Sequence, residues 1–198
     1  MPKKSAVAER YENEAARIRR RHGFSYAEPI NPFAFADSLG LKVIEPTDIP
    51  EISEQDLARL DTIGTDWSGL SFSLSDNRII VILNSSHEQP RKRITLMEEI
   101  CHFLYHHKPK VKVHLIGPER INFLDFTRQD EKDAYWIAAA ILVPYKALKS
   151  LIIKRKTCQE IAAHFEVSQE LIRFRINVTG LFNLYNEMQK VAKLLRSF

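Results

Sequence analysis

Apolar and polar residues follow two periods along this chain, and the changes from one to the other mark out helices and strands in mixed order. Ala6 to Arg21 is charge-rich, helix-forming sequence, and His22-Gly23 closes it as a C-terminal glycine commonly does. Pro29 and Pro32 bracket a turn, Phe33 to Leu39 reads as a short helix closed by Gly40, and Leu41-Lys42-Val43-Ile44 alternates as a strand does. Pro46 to Thr65 holds two prolines and many acids, which predicts a loop with one short helix over Glu54 to Leu60. Gly69 to Leu74 alternates again, Ser75-Asp76-Asn77 has turn chemistry, and Arg78 to Asn84 is an apolar, β-branched run, so a hairpin with one buried strand is expected. Helices are predicted over Thr95 to His107 and over Glu131 to Val143, the second ended by Pro144. Leu181 to Phe198 reads as a terminal amphipathic helix.

With 198 residues and 44% hydrophobic content, the chain can bury one solid core with a helical appendage. No stretch approaches the roughly 18 uncharged apolar residues of a membrane span, and Met1-Pro2-Lys3-Lys4 leads into charged sequence rather than an apolar signal core. A soluble, cytoplasmic protein is the expectation, with Cys101 and Cys158 as free thiols of a reducing compartment. The net charge of +4 comes from clusters at Arg17 to His22, Arg91 to Arg93 and Lys154 to Lys156, which read better as solvated surface than as a nucleic-acid footprint.

Candidate chemistry is concentrated in the helix Thr95 to His107. Residues four apart share a helix face, so Glu98, His102 and His106 form a polar stripe beside Leu96, Ile100, Phe103 and Leu104. Zinc peptidases use His-Glu-x-x-His, in which the i, i+4 spacing aims two ligands at one metal and the glutamate between them is the general base. This chain carries Glu98-Glu99-x-x-His102. Elsewhere, His87-Glu88 has no histidine four residues on, and His22, His114 and His164 stand alone, so these read as loop, surface or structural histidines.

The wider context is more specific. A strand ending in Asn84, a polar connection with Arg91 and Arg93, and then Ile94-Thr95-Leu96-Met97-Glu98-Glu99-Ile100-Cys101-His102 resemble the ImmA/IrrE family, whose motif runs approximately Arg-Phe-Thr-Leu-Ala-His-Glu-Leu-Gly-His. The stretch Glu131-Lys132-Asp133-Ala134 to Pro144 is similar to that family's second motif, Glu-x-Glu-Ala-x-x-Phe-Ala-x-x-Leu-Leu-x-Pro, and Ala36, Leu39 and Gly40 fall in the expected upstream places. The resemblance covers Pro29 to Pro144. It implies an α+β fold: a small zincin-like metallopeptidase domain, active-site helices packed on a small sheet, over residues 1–145, followed by a helical extension over 146–198.

By position, the resemblance makes His102 a metal ligand, Glu99 the general base and Glu131 the acidic third ligand, with Asp133 as the alternative. Glu98 stands where the family has its first ligand histidine. A site of Glu98, His102 and Glu131 offers one imidazole and two carboxylates, which can hold zinc but also suits manganese or iron. His106 is a substitute ligand on the same stripe.

The tail from Thr157 to Arg175 resembles a helix-turn-helix, with a Ser168 cap before a second helix carrying Arg173 and Arg175. Gln169 and Glu170 lead that helix and Glu166 precedes it, which is the wrong sign for phosphate, so packing or partner docking is favoured over DNA reading. Two functions follow from the resemblance. One is an endopeptidase that cleaves a protein substrate, a transcriptional repressor, in a stress or mobile-element circuit. The other is a degenerate regulator that binds a repressor or DNA without cutting.

Overall fold

The computed structural model describes residues 6–48, 68–73, 79–105, 110–116 and 119–195. The chain forms two compact units, residues 31–134 and residues 1–30 with 135–198. The fold is α+β: most of the described residues are helical, and the unit of residues 31–134 holds a five-stranded sheet.

The chain opens with α1 (Ala6–Arg21), which belongs to the second of these units, and the first unit begins with α2 (Pro32–Ser38). Asn31 caps α2, its side-chain oxygen accepting from Phe33 N at 3.0 Å, and Pro32 occupies the first turn, where its missing N–H costs nothing. Gly40, at φ +74°, closes the helix in a conformation that other residues rarely adopt. Then come β1 (Lys42–Ile44), a short 3-10 turn (Pro46–Asp48), β2 (Gly69–Ser73), β3 (Ile79–Leu83), α3 (Gln89–Leu104), β4 (Lys110–Ile116) and β5 (Glu119–Asp125). The sheet has the order β1-β3-β2-β5-β4, with β1 parallel to β3 and every other pairing antiparallel.

Helix α3 packs on β2, β3 and α2. It buries Leu96, Met97, Ile100 and Cys101 completely, and Val81, Ile82 and Leu83 are buried in the adjoining sheet. Two small residues on one face of β2 set the approach. A Cβ built on Gly69 would lie 2.6 Å from Thr95 Cγ2, and the Ser71 hydroxyl donates to Glu99 Oε2. Two strand residues advance about 6.6 Å and four helix residues about 6.0 Å, so Gly69 and Ser71 meet Thr95 and Glu99 in step.

Helix α4 (Arg128–Leu142) gives its first turns to this unit and continues from Tyr135 into the other. That second unit also holds α1, α5 (Tyr145–Ile153), α6 (Cys158–Phe165), α7 (Gln169–Val178) and α8 (Phe182–Leu195). Its core includes Ala138 to Val143, Leu148, Ile152, Ile161, Phe165 and Ile172. Two buried arginines organise the polar part. Arg19 donates to the carbonyls of Ser25, Glu28 and Ile141, joining α1 to the end of α4. Arg175 donates Nε to Val143 O at 3.0 Å and pairs with Glu12, whose other oxygen accepts from Tyr145 N at 3.1 Å. Glu12 thereby supplies the cap that Pro144 cannot give to α5. Thr157 and Glu160 form a capping box at α6, Glu166 turns through φ 54°, and Ser168 caps α7, giving a helix–turn–helix arrangement.

Several expectations shift in detail. Helix α3 starts at Gln89 rather than Thr95, because Pro90 sits in its first turn instead of breaking it. Pro144 ends α4 and at once begins α5, which the sequence reading did not anticipate. The hairpin β4–β5 was also not anticipated, although Lys110 to Ile116 alternates and Gly117-Pro118 follows it. The expected short helix over Glu54 to Leu60, the turn Ser75-Asp76-Asn77, and His106 lie outside the described residues. Among the described residues no single helix is long and apolar enough to cross a membrane.

Two substitutions and one surface control test this packing. Arg175→Leu leaves the part-buried Glu12 carboxylate without its cationic partner and should cost about 3–5 kcal/mol in urea denaturation, while Arg173→Ala on the exposed face of α7 should leave stability unchanged. Gly69→Ala forces β2 and α3 apart and should cost about 1–3 kcal/mol by the same measurement.

Candidate metal centre

Glu98 and His102 stand one helical turn apart on α3, as their i, i+4 spacing requires. Glu131 arrives from the first turns of α4, whose start is fixed by a reciprocal cap. Thr127 Oγ1 accepts from Asp130 N at 3.1 Å, and Asp130 Oδ2 accepts from Thr127 N at 3.2 Å and from Thr127 Oγ1 at 2.6 Å. Glu131 N then donates to Thr127 O at 2.9 Å, which sets this residue one turn into the helix.

One ligand atom from each of Glu98, His102 and Glu131 lies within 4.8 Å of the others. His102 Nε2 and Glu131 Oε2 are 3.6 Å apart, too far for a hydrogen bond. Two donors on one tetrahedral zinc sit about 3.4 Å apart, so the His102–Glu131 pair is already near that spacing and the set as a whole needs to close by at most about 1.4 Å. The His102 ring is buried and stacks on Phe126, with centroids 3.7 Å apart and planes 14° from parallel, which restrains the imidazole orientation.

The electrostatics favour a cation. Burial, with Glu131 and then Glu99 as like-charged neighbours, raises the Glu98 carboxyl to about 8. Glu99 is also raised, by burial first, against the opposing pull of the Ser71 hydrogen bond and of His102. Three carboxyl groups and an imidazole crowd a partly dry site, and a divalent ion would offset the repulsion among the acids. The donor chemistry therefore fits a metal. Cys101 is not among the grouped ligand atoms, and burial raises its thiol well above the ordinary range.

The expected residues divide clearly. Glu98, His102 and Glu131 come together, and Glu99 points to Ser71 instead. Asp133, the alternative ligand, accepts from Gln129 Nε2 at 2.8 Å along its own helix and is not among the grouped ligand atoms. Three contributors escaped the sequence reading. The Thr127-x-x-Asp130 cap was visible as a motif, whereas Ser71 and Phe126 give no local signal of their role.

A family model described as the IrrE N-terminal-like domain, a peptidase family, matches residues 36–177. The chain belongs to that family. The IrrE N-terminal-like match takes in all of Glu98, Glu99, His102 and Glu131 and runs on through α5 and α6 into α7. Family membership supports a metallopeptidase-type or regulatory function. Among solved structures, the chain is similar to a Mycobacterium tuberculosis transcriptional regulator at 10% identity and a TM-score of 0.49, over 85% of this chain and 46% of that one. This chain thus spans about half the length of that regulator. No curated protein matches the sequence.

Metal removal gives a direct check on the donor set. At zinc near 100 times its dissociation constant, binding contributes about 2.7 kcal/mol, and a chain of this size should melt roughly 5–10 °C higher than in chelator. His102→Ala should lose most of that shift. Glu98→Gln should lose it too, while melting no lower than the parent in chelator because one of the crowded acids is gone.

Proposed function

We propose that this protein is a metal-dependent endopeptidase of the ImmA/IrrE type, acting on a transcriptional repressor in a stress or mobile-element circuit. The observation that carries the reading is the grouping of Glu98, His102 and Glu131 ligand atoms within 4.8 Å, with Glu99 beside them on the same helix. Glu98, His102 and Glu131 would hold the ion, zinc in the first instance, with manganese or iron suited to the two carboxylates. A bound divalent ion supplies Lewis acidity toward the scissile carbonyl and toward water.

The remaining chemistry belongs to Glu99. Oε2 is engaged by the Ser71 hydroxyl, which leaves Oε1 to receive a proton from the attacking water and return it to the departing amine. Burial lifts this carboxyl above its ordinary range, which makes it a better base than a solvated glutamate. The C-terminal helices are assigned to packing and partner docking. Arg175, one of the two arginines that a DNA-reading α7 would offer, is buried against Glu12 and Val143.

With the partner repressor as substrate, Glu99→Gln should lower cleavage about 10²–10⁴-fold while metal content stays at the parental level. His102→Ala should lose metal and activity together, and Glu98→His should raise zinc affinity by restoring a second nitrogen donor. The measurements are elemental analysis of protein purified without chelator and a cleavage time course. Undiminished proteolysis in Glu99→Gln would rule out this mechanism. A metal-free parent that binds its partner without cutting, and does so equally well in Glu99→Gln and His102→Ala, would make it a non-catalytic regulator, the reading that Glu98 in the first ligand position favours.

A further inference from the structure

Adjacent glutamates at one metal site pose a problem that a His-Glu pair does not. Either Glu98 or Glu99 could ligate, and a base that also ligates is lost as a base. The two side chains have different surroundings here. Glu98 belongs to the group with His102 and Glu131, while Glu99 accepts the hydroxyl of Ser71. Ser71 is itself buried, at 5% exposure, on the central part of β2, paired with Val81 of β3. Its position over α3 is fixed by the step that brings Gly69 against Thr95 one helical turn earlier.

We infer that Ser71 is a positioning residue that sorts the two neighbouring carboxylates: it holds Glu99 on the sheet side of α3, off the ion, and leaves Glu98 as the ligand. This rests on the metal-site reading above. The hydroxyl suits the task because it donates one hydrogen bond to a carboxylate and carries no charge that would compete for the ion. A lysine or arginine at 71 would neutralise the base, and alanine would free it. With the hydroxyl removed, Glu99 becomes a further oxygen donor beside a site that already lies one residue away.

The test uses the full chain loaded with cobalt(II) and reads its visible absorption bands, which report the number and type of ligands without requiring activity. Ser71→Ala should weaken these bands about twofold or more as Glu99 joins the ion and the coordination number rises. Ser71→Ala combined with Glu99→Ala should return the parental spectrum, and Ser71→Thr, which keeps the hydroxyl, should never leave it. A Ser71→Ala spectrum equal to the parent's, or one still altered in the double variant, would overturn the inference.

A second arm does not depend on metal. In chelator, the shifts in urea midpoint caused by Ser71→Ala and Glu99→Ala should be non-additive, the double variant moving less than the sum, because the two changes remove one hydrogen bond. Additive shifts would overturn the inference. A parent that takes up no cobalt but shows a non-additive cycle would sink the metal-site reading and leave the Ser71 hold on Glu99 standing, so the two failures are distinguishable.

Discussion

The close approach of α3 to β2 is the constraint on which the rest of the candidate centre depends. A glycine at 69 lets the helix come down onto the strand, and the match between two strand steps and four helix steps then delivers Ser71 to Glu99. Once α3 is fixed in rotation, Glu98 and His102 have only one side to face. The apolar residues Leu96, Met97, Ile100 and Cys101 hold that rotation from beneath, each fully buried. A helix held this way presents its polar stripe with little freedom, which is what a preorganised donor set requires.

The same centre is costly to the fold when empty of positive charge. Burial first, and the neighbouring acids after it, raise the proton affinity of Glu98 and Glu99, and at Glu99 the Ser71 hydrogen bond and His102 offset part of the rise. Proteins accept such local tension where chemistry is done, and secure it with well-packed surroundings. Here the surroundings include the Phe126 ring against His102 and the Thr127–Asp130 cap beneath Glu131. Neither contact adds a ligand, yet both limit where the ligands can point.

Much of this was legible in the sequence, and the limits have physical causes. The stripe Glu98, His102 and the second acidic motif at Glu131 are patterns of spacing within single helices, and spacing within a helix fixes direction. The antiparallel pairing of β2 and β3 was readable because strand alternation is local. Ser71 was not, since its role comes from where a helix lies across a strand, information that no window of sequence contains. The grouping of α1 with the C-terminal helices was equally hidden, because the contacts Arg19–Ile141 and Arg175–Glu12 join residues more than a hundred positions apart. Pro144 shows a different limit: a proline marks the end of one helix and the start of another equally well, and only the Glu12 cap on Tyr145 decides for both.

The Glu12 link bears on where this chain can be trimmed. The family match begins at residue 36, and a shortened protein cut at that boundary would discard α1 with it. Arg175 would then keep its place in the core with a guanidinium that has lost its counter-ion, and α5 would start with its first N–H groups uncapped. Stranding a buried charge costs about 3–5 kcal/mol, a large share of the roughly 5–15 kcal/mol that holds an ordinary domain together. The matched region and the set of contacts that satisfies its buried charge therefore have different boundaries here, and the helix that lies ahead of the match carries part of the stability of the helices inside it.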